Sequence, residues 1–285
     1  ADLTSLQDLF LWNTGISDAG LAHLAGLTDM RELSFPQTAI TASGLKHLAG
    51  MTQMRELTFS ATQVAGADLA PLANMTQLEI LDMRATGITG AALEHLSGLT
   101  ELKILYLSST QIDDDGMAHL SGLTGLMSLS MGLNDVSDEG MKHLAGLTNL
   151  QAMTLTNNPV GDAGFKHLAG LTELHTLTAP GTDITDAGLK HLAGLTKLQD
   201  LSLADTVVSD AGLEHLAAMT ELRVLALTLT KISGEGLEHL TDMAELQSLE
   251  LGATPVTDAG IEDLPDLPKL QNLDLNETLI TDLGV

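Results

Sequence analysis

The sequence predicts an α/β solenoid: a right-handed coil of strand-and-helix turns bent into a horseshoe, with a parallel sheet along the concave side and helices along the convex side. Three observations lead there. The chain of 285 residues repeats itself every 24 residues, as "DAGLAHLAGLT" at 18–28, "DAGFKHLAGLT" at 162–172 and "DAGLKHLAGLT" at 186–196 show. Apolar side chains alternate through one short stretch of each repeat, and recur every third residue through another. A fixed period of this length marks an array whose units bury their cores against one another.

Taken in order, each repeat opens on a strand. Leu9 and Leu11 send two side chains to one face of an extended segment, and the same positions recur as Leu33 and Phe35, Leu81 and Met83, and Leu273 and Leu275. A polar residue follows, Thr14 in the first repeat, then an Ile or Val and a short Thr/Ser-Asp-x-Gly segment that starts a helix. In that helix Leu21, Leu24 and Leu27 share a face. Twelve copies follow one another without an insertion, which predicts a single domain over 1–285 with no obvious caps. One repeat offers about seven apolar side chains at roughly 2 kcal/mol each against at least ~1 kcal/mol of backbone entropy per residue, so stability must come from stacking. Strands about 4.8 Å apart opposite helices about 10 Å apart bend the stack, and parallel crossovers coil it right-handed.

The template L-x-x-L-x-L-x-x-(T/N)-x-(I/V) resembles the leucine-rich repeat, with Thr usually in place of Asn or Cys at the polar position; Asn134 and Asn158 keep the amide. The tail "ITDAGLKHLAGLT" is similar to the convex half of the ribonuclease-inhibitor-like subclass, and the Thr variant to repeats common in environmental bacteria. The resemblance covers essentially the whole chain. It implies a module that binds other proteins, while leaving the target open.

Three residue ladders accompany the repeat. The Thr/Asn positions are expected to turn inward and satisfy loop backbone groups, which sets aside an ice-binding Thr array. Asp18, Asp114, Asp138, Asp162, Asp186, Asp210, Asp258 and Asp282 stand at helix starts, where capping and the helix dipole explain them better than calcium does. His23, His47, His95, His119, His143, His167, His191, His215 and His239 recur at the helix flank, a packing position. Helices about 10 Å apart hold successive imidazoles too far apart to share a metal, so no metal site is expected. Charging all ten histidines would take the net charge from −26 to −16, which makes a pH response conceivable.

Composition narrows the function. Twelve Lys and Arg against 38 Asp and Glu repel nucleic acid and anionic lipid. No apolar run reaches the length of a membrane span, and "ADLTSLQDLF" lacks a signal-peptide pattern, so membrane insertion is not expected. With no cysteine there is neither a disulfide framework nor a thiolate site. The compartment stays open, with an extracellular or cell-surface setting slightly favoured. No phosphate-binding loop, nucleophile elbow, zinc-binding helix motif or non-repeating Ser/His/Asp trio appears; a non-enzymatic protein without cofactor is expected. Asn74-Met75-Thr76 and Asn276-Glu277-Thr278 match the glycosylation sequon, which matters only in a eukaryotic secretory host.

Function should lie where the template is silent, at outward strand positions on the concave face. Most are small and hydroxylic. Phe10 with Trp12, and Asp82 with Arg84 and Tyr106, stand out as ligand-binding candidates, in a chain with one Trp, one Tyr and four Phe. Phe10 and Tyr106 lie four strands apart, roughly 19 Å, too far for one small-molecule pocket. The expected partner is therefore a protein, with a glycan as the lesser choice, held along the concave face. Two alternatives are a structural or self-assembling surface protein that associates through uncapped ends, and an engineered or truncated scaffold without a native ligand.

Overall fold

The computed structural model describes residues 3–66 and 68–284. They fall into two compact units, Ala1–Val136 and Ser137–Val285. In the first unit a parallel sheet is built from β1 (Asp8–Phe10), β2 (Glu32–Ser34) and β3 (Glu56–Thr58), a second, two-stranded sheet from β4 (Ala65–Gly66) and β6 (Gly87–Ile88), and the main sheet continues through β5 (Ile80–Asp82), β7 (Ile104–Tyr106) and β8 (Ser128–Ser130). The register follows the 24-residue period, Leu9 opposite Leu33 and Leu33 opposite Leu57. In the second unit β9 (Ala152–Thr154), β10 (Thr176–Thr178), β11 (Asp200–Ser202), β12 (Val224–Ala226), β13 (Ser248–Glu250) and β14 (Asn272–Asp274) pair in parallel in the same register.

The crossovers are shorter helices than the sequence suggested. In the first unit α1 (Asp18–Ala22), α2 (Ala42–Leu45) and α3 (Asp114–Met117) are single α-turns, and α2 and α3 run on as 3₁₀ turns at Lys46–Leu48 and Ala118–Leu120. The second unit has α4 (Asp138–Met141), α5 (Asp162–Phe165), α6 (Asp186–Leu189), α7 (Asp210–Leu213) and α8 (Asp258–Glu262), of which α4, α5 and α7 run on as 3₁₀ turns. The reason is the apolar spacing. Leu45, Leu48, Met51, Met54 and Leu57 stand every third residue and all are fully buried. Within the crossover Leu45 and Leu48 are three apart, a spacing that a 3₁₀ turn holds on one face, while Met51 and Met54 follow outside the helix and Leu57 lies on β3. Pro71 leaves the third repeat with only the 3₁₀ turn Ala70–Leu72, and the fourth has Gly90–Leu96 entirely as 3₁₀.

The Thr ladder points inward, as expected. The residue before it has a left-handed backbone, φ 55° at Gln37 and 53° at Ala61, which turns the chain out of the strand. The next hydroxyl then donates to the carbonyl three residues back, Thr38 to Phe35 and Thr62 to Phe59, both at 2.8 Å. Asn134 reaches further: its amide donates to the Leu107 and Met131 carbonyls, each at 2.9 Å, and its oxygen accepts from Thr110 and the Ile112 amide.

The Asp ladder departs from simple capping. The preceding hydroxyl caps several helices, with Thr41 accepting from the Ser43 amide and Thr185 from the Ala187 amide. The Asp carboxylate instead reaches the next repeat. Asp18 accepts from the Thr41 amide at 2.8 Å and hydroxyl at 2.7 Å; Asp162 does the same with Thr185, Asp186 with Ser209 and Asp258 with Thr281. The glycine three residues after that Thr lies directly over the carboxylate. A Cβ on Gly44 would collide with Asp18 Oδ1, and on Gly212 would lie 2.6 Å from Asp186 Oδ1. Asp18, Thr41 and Gly44 are therefore one interlock between successive turns. At Asp210 burial pushes the carboxyl up, but hydrogen bonds from the Ser233 amide and hydroxyl and from the Gly236 and Gly234 amides outweigh it and hold the group below its ordinary range. The helical histidines sit half-buried or exposed at the flank, and His95 and His215 approach Glu94 and Glu214 at 3.5 and 3.7 Å.

Candidate functional site

All five candidate residues belong to the open sheet face of the first unit. Strand alternation puts Leu81 and Leu105 in the core and turns Asp82 and Tyr106 outward, with Arg84 two residues beyond Asp82 on the same side. Asp82 pairs in register with Tyr106, so the three side chains meet. Arg84 folds back on its own strand: Nε donates to Asp82 Oδ1 at 3.0 Å and Nη2 to Oδ2 at 2.7 Å, while the Arg84 amide also donates to Oδ1 at 3.0 Å. Its Cζ stands 4.6 Å from the Tyr106 ring centre. Asp82 is only 5% exposed, whereas about half of the Arg84 side chain remains open. The Asp82 hydrogen bonds outweigh partial burial and raise the guanidinium further above its ordinary value, so it stays charged.

This is a rigid platform. A bidentate carboxylate fixes the guanidinium plane, the ring supports one face of it, and two of its five N–H donors are used by Asp82. Next to it Ser108 and Ser130 hydroxyls share a hydrogen bond of 2.6 Å, and Ser108 Oγ accepts from the Gly132 amide at 3.0 Å.

Phe10 and Trp12 do not join this cluster. Phe10 ends β1, three strands from Asp82 through Ser34 and Thr58, Trp12 stands in the turn just after it, and they are 61% and 65% exposed. Sequence reasoning missed a third outward column, two residues before the first: Asp8, Glu32 and Glu56 stand opposite one another on β1, β2 and β3. The alternation that selects Phe10 selects Asp8 equally. Burial and then repulsion from Glu32 push the Glu56 carboxyl up. In the next repeat, one residue before Ile80, the partner of Glu56, Glu79 is held between Arg55 at 3.2 Å and Lys103 at 2.5 Å, and hydrogen bonding and charge from Lys103, then Arg55, lower its carboxyl. Among the described residues no three His, Asp or Glu side chains converge to hold a metal ion, and no helix is long and apolar enough to cross a membrane.

Comparison with known proteins agrees with this architecture. The family model for a leucine-rich repeat region matches residues 37–283. No curated protein matches the sequence significantly. Among solved structures, an internalin from Listeria monocytogenes superposes with a TM-score of 0.79 at 25% identity, covering 99% of this chain and 84% of its own. Internalin C2 from the same organism gives 0.57 at 30% identity over 75% of this chain and 84% of its own. The ectodomain of a plant receptor kinase from Arabidopsis thaliana, solved in complex with Casparian strip integrity factor 2, gives 0.57 at 17% identity over 91% of this chain and 37% of its own, a likeness of fold alone.

Proposed function

The chain belongs to the leucine-rich-repeat family, and from that premise we propose that it is a non-catalytic recognition module that holds a protein partner on the open sheet face of its first unit, the concave side of the predicted coil. The observation that carries this reading is the Asp82–Arg84–Tyr106 platform: three side chains that the template does not require, locked to one another on the open face with the Arg84 guanidinium half exposed, among neighbours that are mostly small. Phe10 and Trp12 add two exposed aromatic anchors on the same face. Leucine-rich repeats commonly mediate protein binding, and the plant receptor ectodomain was solved with a partner, which supports the same role here.

The test is a pull-down with the intact chain and with Trp12→Ala/Tyr106→Ala. Loss of a captured protein from the variant supports the reading; an unchanged catch overturns it. Light scattering across concentration addresses the structural alternative, because growth into long assemblies would mark a self-assembling protein and a constant particle mass a recognition module.

A further inference from the structure

The open sheet face of the first unit carries a charge pattern that the platform does not use. Asp8, Glu32 and Glu56 stand on three adjacent strands, about 4.8 Å apart, and among the described residues no Lys or Arg makes a hydrogen bond or ion pair with them. They border a shallow depression of about 320 Å³ together with Arg31, Arg55 and Glu79. Arg55 is engaged with Glu79, as is Lys103. Three carboxylates in a row against one uncommitted cation, Arg31, is an arrangement of like charges that disfavours the free state.

The second observation comes from the aromatics. Phe10 stands two residues after Asp8 on the same side of β1, and Trp12 two residues further on, both largely exposed. A π face beside an unpaired carboxylate is the combination that takes a guanidinium or ammonium group, since the ring covers the flat head or aliphatic stem and the carboxylate takes the charge. Side chains of an extended segment that share a face recur about every 6.6 Å, so two basic residues spaced i, i+2 fall within the roughly 10 Å spanned by the three carboxylates. The net charge of −26 would also draw such a partner in.

We propose that the partner of this face is an extended basic segment of polypeptide, with Lys or Arg side chains on Asp8, Glu32 and Glu56 and against Phe10 and Trp12. The assignment rests on the recognition reading given above and specifies its partner.

The experiment uses an immobilised library of random peptides of about 12 residues as the probe, with the intact chain and three variants. Asp8→Asn/Glu32→Gln/Glu56→Gln removes the carboxylates and keeps their shape. Glu221→Gln/Asp242→Asn/Glu262→Gln changes net charge equally at exposed positions of the second unit, and Trp12→Ala/Tyr106→Ala removes one aromatic of this patch and the ring of the neighbouring Asp82–Arg84 platform. Thermal unfolding checks that each variant is folded. The expected result is enrichment of peptides with paired basic residues by the intact chain and by the second-unit variant. Affinity for them should drop at least about tenfold in the carboxylate variant, and should weaken between about 50 and 300 mM salt. Equal binding of basic peptides by both charge variants overturns the proposal, because net charge alone would then explain it. Peptides that lack basic residues but depend on Trp12 and Tyr106 would overturn the basic partner and leave the recognition face standing. Enrichment unaffected by any variant, or no enrichment, would overturn both.

Discussion

Replacing Gly44 with alanine should destabilise the protein, and the same replacement should stabilise it once Asp18 has been removed. A Cβ on Gly44 collides with Asp18 Oδ1, and its next contact is Ile40 Cγ2 at 3.1 Å, which a small shift relieves. Accommodating the methyl therefore means displacing the Asp18 carboxylate from the Thr41 amide and hydroxyl. Two charge-assisted hydrogen bonds at a half-exposed site are worth about 2–3 kcal/mol together. Alanine within α2 returns about 1 kcal/mol of helix propensity. The net in the wild-type background is a loss of about 1–2 kcal/mol; with Asp18→Ala already present, only the propensity gain remains, up to about 1 kcal/mol. The coupling between the two sites is thus about 2–3 kcal/mol, within the range for residues in contact. A double-mutant cycle on urea midpoints reads it. Hydrogen exchange at the Thr41 amide reads the interlock directly, since that proton should lose protection in Asp18→Ala and in Gly44→Ala alike. If Gly44→Ala is equally harmful with and without Asp18, the interlock is not what excludes a side chain there.

Three further outcomes follow from the same geometry. Thr182→Val keeps the shape of a side chain that is 4% exposed but leaves the Ala179 carbonyl without its 2.8 Å donor, and should cost about 1–3 kcal/mol in chemical unfolding, while Thr182→Ser should recover most of it. Acid titration should separate two carboxyls by sign. The lowered Asp210 contributes stability that is present above its unfolded value and lost as pH falls through its folded one, so Asp210→Asn should flatten the acid limb of the stability profile. The raised Glu56 contributes stability that is present below its unfolded value and lost as pH rises through its folded one, so Glu56→Gln should leave the protein at least as stable at neutral pH. Arg84→Lys removes the bidentate fork and the flat contact with Tyr106 at an exposed site; unfolding midpoints should move by less than about 1 kcal/mol, whereas partner capture should fall clearly.

The period and the alternation of Leu9 and Leu11 were enough to read the parallel strands, their register and the inward Thr ladder, because each depends on residues within one repeat or on its exact recurrence. The split of each crossover into an α-turn and a 3₁₀ turn was less legible. A spacing of three, as between Leu45 and Leu48, fits one face of either helix over a single turn and does not decide between them. The role of Asp18 was hidden for a different reason. Its partner lies 23 residues away, so a local reading finds a helix start and stops there. At the site, the outward positions of Asp82, Arg84 and Tyr106 could be counted from the strand pattern, but the folding of Arg84 onto Asp82 and over the ring is a matter of side-chain rotamers that no spacing encodes. Asp8, Glu32 and Glu56 went unread although they obey the same alternation, because counting began at the first leucine of the strand rather than one residue before it.

The interlock also explains where the Asp ladder is allowed to fail. At Gly90 and Gly234 the carboxylate position is a glycine, and there the next turn packs against bare backbone: a Cβ on Gly116 would run into Gly90 Cα, and one on Gly260 would lie 2.8 Å from Gly234 Cα. Two of the arrangements that join successive turns are thus a carboxylate that holds the next Thr or Ser and a glycine that lets two backbones touch; Ala42, and Asp138 with the Gly161 amide, follow neither. The two cannot be exchanged one residue at a time. A side chain restored at Gly90 would meet Asp113 Oδ1, and Gly116 Cα at 3.0 Å, because the neighbouring turn has already closed over the space. The inward and lateral positions are therefore fixed by their neighbours a full period away, and only the outward strand columns vary without disturbing the stack. That constraint, more than any single side chain, is why the recognition face proposed above is sought on the open side of the sheet.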